Sequence, residues 1–333
     1  MRYDFAPMEG ITGALFRRLH HQFFPGVDRY YMPFLSPTRD HVFTPRELRE
    51  ILPENNPDAE VIPQLLTKVP EDFLWAAGEL AAMGYQTVNL NLGCPSGTVV
   101  AKGKGSGMLA DPSALDAFLD AVFSRAPCAV SVKTRLGLSD PEEFGPLLEI
   151  YNHYPLAELI VHSRVQKDGY RHPVRLEAFA PILAASRHPV CFNGGLVTTQ
   201  DCRDLVGRFS GICGVMIGQG LVANPALVRQ IRGGPGADWE ALRAFHEALF
   251  GGYSQLFGSA HNAMMRMKEL WAYLIRLFRD SGPYAKRLRK ARDPQTFSQA
   301  VDAVFQELEL LPEADWGDAR VKKGAHGDPR QDN

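Results

Sequence analysis

The sequence lacks several features that would place it in large classes of proteins. Its five cysteines include no CxxC pair, so neither a disulfide framework nor a zinc site or other metal site is expected. No basic segment precedes an apolar stretch at the N-terminus, and no apolar run approaches the ~20 residues that span a membrane. We therefore expect a protein of the reducing cytoplasm with no membrane span.

Net charge is also small, at −2, which gives no global indication of nucleic-acid binding. The basic residues are nevertheless uneven, because residues 286–292 form a dense cluster and Arg266, Lys268, Arg276 and Arg279 precede it. Taken alone, such a cluster is better explained as a solvated helix face.

Eight short apolar segments alternate with helical segments over the first 230 residues or so, which predicts a (β/α)8 TIM barrel over residues 1–232. A doubly wound open sheet is the alternative, but no GxGxxG motif follows the first strand. The predicted strands are Tyr3–Ala6, Asp28–Tyr31, Val61–Leu65, Thr87–Leu92, Ala129–Lys133, Leu159–His162, Val190–Asn193 and Gly214–Ile217.

The C-terminal part of the chain has a different pattern. Residues 233–236 read Gly-Gly-Pro-Gly, which is typical of a linker. Residues 238–312 then show helical periodicity without strand signals, which predicts an all-helical domain. Residues 313–333 are poor in apolar side chains, and we expect a disordered tail there.

A TIM barrel carries its functional groups at the carboxyl ends of its strands. Polar or glycine-rich groups follow seven of the eight predicted strands. This agreement is much stronger evidence for a functional site than any single residue among them. They are Pro7, Met8 and Glu9 after strand one, Gln64 at strand three, Asn91 and Cys94 at strand four, Lys133 and Arg135 at strand five, His162 and Arg164 at strand six, Asn193, Gly194 and Gly195 at strand seven, and Gly218, Gln219 and Gly220 at strand eight.

Cys94 is the most informative of these residues. Gly93 and Pro95 end the preceding strand abruptly, so the thiol lies on a turn with little freedom, beside Asn91. Most cysteines are small buried hydrophobic residues, but a turn between glycine and proline is a poor core position. A glycine-rich stretch, residues 102–107, follows the turn.

The glycines after strands seven and eight lie where many barrels bind phosphate. Tight turns would also favour glycine there, but without side chains these residues let backbone N–H groups approach phosphate oxygens. Lys133 suits an electron-rich ring edge, and Gln64 offers a donor and an acceptor to an imide. A phosphate at one side and an imide at the other fit FMN lying across the barrel mouth.

These motifs together resemble the tRNA-dihydrouridine synthase family, in order and spacing, as far as about Gly220. The helical appendage resembles that family's RNA-binding domain in placement only. The motifs are Ala6-Pro7-Met8-Glu9-Gly10, Asn91-Leu92-Gly93-Cys94-Pro95-Ser96 with its glycine-rich continuation, Val132-Lys133-Thr134-Arg135, Val161-His162-Ser163-Arg164 and Asn193-Gly194-Gly195.

The resemblance implies a monomeric flavoenzyme that uses NADPH, through FMN, to reduce uridines in tRNA. Cys94 would donate the proton to carbon 5 of uracil, since a thiol is mostly protonated near neutral pH. FMN would be bound by Pro7, Met8, Glu9, Gln64, Asn91, Lys133, His162, Asn193, Gly194, Gly195, Gly218 and Gln219. The RNA would be bound by Arg135, Arg164, Arg266, Lys286, Arg287 and Arg289.

The chain departs from the family at two places. Gln219 stands where arginine is usual, and Ser163-Arg164-Val165 replaces the commoner Gly-Arg-Thr. Three alternatives stay open: an FMN barrel that acts on a free pyrimidine, a flavin-free barrel for a sugar phosphate, and an RNA-binding protein without catalysis. The last two would leave the polar strand ends, Cys94 among them, without a role.

Overall fold

The computed structural model describes residues 1–317. Its sheet contains nine parallel strands in a nearly closed barrel, in the order β3-β2-β1-β9-β8-β7-β6-β5-β4. The strands are β1 (Arg2–Phe5), β2 (Arg29–Tyr31), β3 (Glu60–Ile62), β4 (Gln64–Leu65), β5 (Thr87–Leu92), β6 (Ala129–Arg135), β7 (Leu159–His162), β8 (Val190–Asn193) and β9 (Gly214–Ile217).

The ninth strand arises because Pro63 divides the predicted third strand into β3 and β4. Proline has no N–H to donate to a ladder, so a strand is interrupted there. The two halves pair with different neighbours, β3 with β2 and β4 with β5, so the sheet begins and ends within one stretch of chain. A parallel bridge between Leu35 and Leu65 brings these edges together. The predicted TIM-barrel strands are thus all present.

Ten α-helices accompany the strands in the described part of the chain before residue 232, and four follow it. They are α1 (Ala14–Phe23), α2 (Pro45–Ile51), α3 (Pro70–Ala82), α4 (Gly97–Val100), α5 (Pro112–Phe123), α6 (Phe144–His153), α7 (Leu176–Ala185), α8 (Thr199–Arg208), α9 (Gln219–Ala223), α10 (Leu227–Ile231), α11 (Trp239–Phe257), α12 (Ala260–Leu274), α13 (Gly282–Lys290) and α14 (Pro294–Glu307).

The C-terminal helices pack on each other and on the barrel. Helix α11 lies against α1 and α12, and α13 lies against α12 and α14. Helix α12 ends at Leu274, and a 3₁₀ turn follows it. Of the predicted tail, only residues 313–317 are described; Ala314 and Trp316 are buried, and the rest lies outside the described residues. No helix among residues 1–317 is long and apolar enough to cross a membrane.

The amino-terminal end of the barrel is closed by a buried ion network. The guanidinium of Arg2 bonds to the carboxylates of both Asp4 and Glu158, and Arg29 and the Tyr31 hydroxyl also reach Glu158. Asp4, Glu158 and the Cys191 thiol are close enough together to share a metal ion. Arg2 already supplies positive charge to both carboxylates. The chain also leaves room for the guanidinium, because a Cβ at Gly214 would lie only 2.8 Å from Nη2 of Arg2. The network is therefore built around arginine.

Candidate active site

The turn that carries Cys94 is fixed by the side chain of Asn91. Its Oδ1 accepts hydrogen bonds from the backbone N–H groups of Gly93, at 3.1 Å, and Cys94, at 2.9 Å. Asn91 lies near the end of β5, so the strand itself sets the position of this anchor. The side chain predicted to contact a cofactor therefore also determines where the thiol stands.

The glycine-rich stretch folds back onto the same turn. The carbonyl of Cys94 accepts hydrogen bonds from the backbone N–H of Ser106, at 3.1 Å, and from its hydroxyl, at 2.8 Å. Gly105 has a φ of +58°, and a Cβ there would lie 3.0 Å from the Cβ of Cys94. Only glycine fits that conformation and that approach. Ser106 was not selected from the sequence, although it lies inside the glycine-rich motif.

Behind Asn91, a chain of buried polar side chains crosses three strands. Asn91 Nδ2 donates to Gln64 Oε1 at 2.7 Å, Gln64 Nε2 donates to Asn89 Oδ1 at 2.7 Å, and Asn89 Nδ2 donates to Ser131 Oγ at 2.9 Å. One donor and one acceptor of Gln64 are thus used inside the protein. The sequence analysis missed Asn89 and Ser131 because both stand within strands, where no turn marks them.

The Cys94 thiol is half-buried, and burial raises its pKa. A hydrogen bond from the backbone of Ser96 and the nearby charges of Arg135 and Lys133 oppose this rise only in part. The thiol is therefore protonated at neutral pH. Such a group suits the role of an acid and not that of a nucleophilic thiolate.

Lys133 lies beside this turn, on β6, where its Cα is paired with that of Asn91. Its side chain has no hydrogen-bond or ion-pair partner among residues 1–317, although the residue is half-buried. Burial, with a contribution from Arg135, lowers the pKa of Lys133 to about 7. An amine in this state is available to a ligand as a donor or as an acceptor.

Arg135 is buried and bonds to the backbones of two loops. It donates to the carbonyls of Gly93, at 2.8 Å, Val165, at 3.1 Å, and Gly169, at 3.0 Å. Its guanidinium carbon also lies 5.4 Å from the centre of the Tyr170 ring. Arg135 thus joins the Cys94 turn to the loop after β7. Much of its bonding capacity is already used, and contact with a substrate stays a prediction.

His162 and Arg164 form a pair at the end of β7. Nε2 of His162 accepts a hydrogen bond from Nη1 of Arg164 at 2.9 Å, so the proton of the imidazole lies on Nδ1. Burial and three nearby cations hold the pKa of His162 well below its usual value, and the ring is neutral. Arg164 is also buried and donates to the carbonyl of His172. The Tyr170 ring lies 5.9 Å from that of His162, and no sequence signal distinguished it.

Of the two glycines after β8, Gly194 lies against His162 and Gly195 lies against Val174. Gly194 has a φ of +117°, and a Cβ there would lie 2.8 Å from Cδ2 of His162. Gly195 follows with a φ of +71°. Asn193 holds the start of this turn by donating to the carbonyl of Met216 at 2.8 Å. Its side chain therefore links β8 to β9 at the mouth.

The motif after β9 brings three loops together. A Cβ at Gly218 would lie 3.3 Å from the sulfur of Met8, and one at Gly220 would lie 2.4 Å from the carbonyl oxygen of Leu196. Gly220 is therefore required for packing of α9 on the loop after β8. Gln219 begins α9 and is half-buried.

The loop after β1 connects this mouth to the C-terminal helices. Pro7 and Met8 are half-buried, and Glu9 is exposed and 3.2 Å from Nη2 of Arg46. Arg266 of α12 donates to the carbonyl of Gly10. Glu9 and Arg266 line one cavity of about 900 Å³ between the barrel loops and the end of α11.

The predicted RNA-binding residues of α13 lie on a separate element. Lys286, Arg287 and Arg289 lie on its outer side, while Leu288 is buried and anchors the helix. The structure thus gathers the strand-end residues at the barrel mouth. It places Arg266 at the mouth's border with the helices, and the three basic residues of α13 on a helix that packs on α12 and α14.

The sequence is similar to those of known tRNA-dihydrouridine synthases. The protein is 28% identical to a tRNA-dihydrouridine(16) synthase of Pseudomonas putida, over 93% of this chain and 99% of that one. It is 33% identical to the enzyme of the same name from Cupriavidus necator, over 70% of this chain and 74% of that one. A probable tRNA-dihydrouridine synthase 1 of Synechocystis is 30% identical over 68% of this chain, which corresponds to 63% of its own length.

The pattern of the family described as dihydrouridine synthase (Dus) matches residues 4–314, a range that contains the barrel strands from Asp4 onward, the Cys94 turn and the C-terminal helices. The chain therefore belongs to the dihydrouridine synthase family.

Proposed function

We propose that this protein reduces a uridine of tRNA to dihydrouridine, with NADPH as the reductant and FMN as the cofactor. The observation that carries the proposal is a protonated, half-buried thiol fixed on a braced turn at the barrel mouth. The relatives named above for position 16 support the uridine at that position as the target.

The residues at the mouth fit FMN. Gly194 and Gly195 have no side chains of their own that would keep a phosphate from their backbone N–H groups, and both adopt conformations that other residues rarely do. Lys133 has no partner of its own among residues 1–317 and would contact the ring system. Asn193, Gly218 and Gln219 would border the phosphate, and Pro7, Met8, Glu9, Gln64, Asn91 and His162 the remainder. Gln219 brings no charge, so the phosphate would be bound mainly by N–H groups.

FMN, when bound, supplies the reducing equivalents for the C5–C6 double bond of uracil. The protein then has to deliver a proton to carbon 5. Cys94 performs this step, because burial keeps its thiol protonated and Asn91 and Ser106 hold its backbone in place.

A uridine in folded RNA has to leave its base stack to reach this mouth. We assign residues 1–232 to the catalytic domain and residues 238–312 to a helical RNA-binding domain. Arg135, Arg164 and Arg266 would contact the nucleotide near the mouth. Lys286, Arg287 and Arg289 would contact RNA phosphates farther away. We further propose that the protein acts as a monomer in the cytoplasm.

The test combines spectroscopy with mapping of the product. Purified protein is expected to show flavin absorbance, and with NADPH it is expected to form dihydrouridine at position 16 of tRNA that lacks the modification. Absence of flavin would refute the cofactor assignment. Reduction of free uridine but not of tRNA would favour the alternative, a barrel that acts on a small pyrimidine.

A further inference from the structure

Three lysines stand together on the rim beside Cys94. Lys102 and Lys104 lie in the glycine-rich stretch, and Lys68 lies in the loop after β4. A Cβ added at Gly103, between the first two, would lie 3.4 Å from Nζ of Lys68. We call Lys68, Lys102 and Lys104 the lysine rim.

The glycine-rich loop that carries two of the three rim lysines is held by its own hydrogen bonds. The N–H groups of Lys102 and Lys104 donate to the carbonyl of Val99, at 3.1 and 3.2 Å, and the N–H of Gly103 donates to Val100 at 2.8 Å. Ser106 then attaches the stretch to the carbonyl of Cys94. The backbones of Lys102 and Lys104 are therefore held in a fixed position relative to the thiol.

The rim has no counter-charge among residues 1–317. None of its three ammonium groups has a hydrogen bond or an ion pair there. Glu71, one turn after Lys68, is instead 3.5 Å from Nη2 of Arg125. By contrast, Arg2 and Arg175 are each paired with a carboxylate. Unpaired cations on a pre-formed loop are suited to a polyanion.

Resting on the function proposed above, we propose that the lysine rim binds the RNA phosphates next to the target uridine. In the usual anti orientation of a pyrimidine nucleotide, the C5–C6 edge faces the 5′ phosphate of the same nucleotide. An acid aimed at carbon 5 therefore places its own loop beside that phosphate. The lysine rim would then bind the phosphates of the extruded nucleotide while the Cys94 thiol lies beside carbon 5 of its base.

The experiment measures tRNA binding and turnover of flavin-loaded full-length protein over a range of salt concentrations. In the triple variant Lys68→Gln, Lys102→Gln, Lys104→Gln, the magnitude of the slope of log affinity against log salt is expected to fall by about 2, since each phosphate contact to a single strand contributes about 0.7. KM for tRNA is expected to rise more than kcat falls. The triple Lys→Arg variant should keep the wild-type slope.

The matched control removes the same charge from the opposite end of the barrel. Arg125, Arg187 and Arg208 are exposed and precede β6, β8 and β9. Their triple Gln variant should keep the wild-type slope and KM. Flavin content of each variant reports whether the barrel is intact.

An active wild-type enzyme whose lysine-rim variant keeps both slope and KM would overturn this inference alone. A flavin-loaded wild-type protein that forms no dihydrouridine in tRNA would overturn the proposed function, and this inference with it.

Discussion

The two ends of the barrel differ in whether their charged side chains have partners. At the amino-terminal end, Arg2 pairs with Asp4 and Glu158, and every member of the network has a partner. At the mouth, Lys133 and the lysine rim have none among residues 1–317. Burying an unpaired charge is costly, so the half-buried Lys133 indicates a ligand at the mouth, whereas Lys68 and Lys102 are exposed and available to a partner in solution. The difference indicates that the first end serves stability and the second serves binding.

The largest expected effect is on the rate of dihydrouridine formation, when Cys94, the proposed acid at the barrel mouth, is replaced. Cys94→Ala should lower the rate of dihydrouridine formation by about 10²–10⁴-fold, because a positioned proton donor contributes that much. Flavin content and NADPH oxidation should persist. Cys128→Ala, at a half-buried thiol before β6, is the control and should keep activity. Full activity of the Cys94 variant would show that another group donates the proton.

A substitution in the ion network at the amino-terminal end of the barrel should instead lower the stability of the fold. Arg2→Met leaves two buried carboxylates without their main counter-charge and is expected to lower the free energy of unfolding by about 3–5 kcal/mol. Denaturant unfolding measures this decrease. Arg125→Met, which removes an exposed ion pair, should cost less than about 1 kcal/mol. Equal decreases would mean that the buried network is no more important than a surface pair.

The unpaired amine of Lys133 should give the stability a dependence on pH. Its pKa is about 7 in the folded protein and 10.5 when unperturbed, so the unfolded chain binds the extra proton between these values. Stability should therefore rise from pH 7 toward 10, by about 1 kcal/mol per pH unit, and be lowest below pH 7. Lys133→Met should remove this rise. Lys286→Met, on the surface of α13, should leave the rise unchanged.

The last effect, on tRNA affinity and not on catalysis or folding, is expected at the basic surface of α13. Replacing Lys286, Arg287, Arg289 and Lys290 by Gln should weaken tRNA binding and flatten its salt dependence, by about 0.9 in slope for each duplex phosphate that the variant no longer neutralises. Comparison with the lysine rim then ranks the two basic surfaces. An unchanged slope would mean that α13 faces away from the RNA.

The barrel and its functional end were predictable because the signals are local. Short apolar segments separated by helices require a parallel sheet, and parallel strands present their carboxyl ends together. The division of strand three at Pro63 was not predicted, because only the pairing of β3 with β2 and of β4 with β5 shows that the sheet begins and ends there.

The connections inside the site were not predictable. A strand-end arginine is usually exposed, yet Arg135 is 1% exposed and bonds to carbonyls up to 42 residues away in sequence. The glycine-rich stretch was recognised as important, but its contact with Cys94 depends on a return of the chain that periodicity does not reveal. Asn89 and Ser131 become meaningful only when the strands are side by side.

The buried chain from Asn91 through Gln64 and Asn89 to Ser131 has one further consequence. It consists only of amides and a hydroxyl, and each member donates to the next in the same direction. None of these groups gains or loses a proton between about pH 4 and 10. The charge of these four side chains, which lie behind the Cys94 turn, therefore stays constant during a titration. A pH–rate profile of this enzyme should report the chemistry of the groups at the mouth, without distortion from the groups that hold the thiol in place.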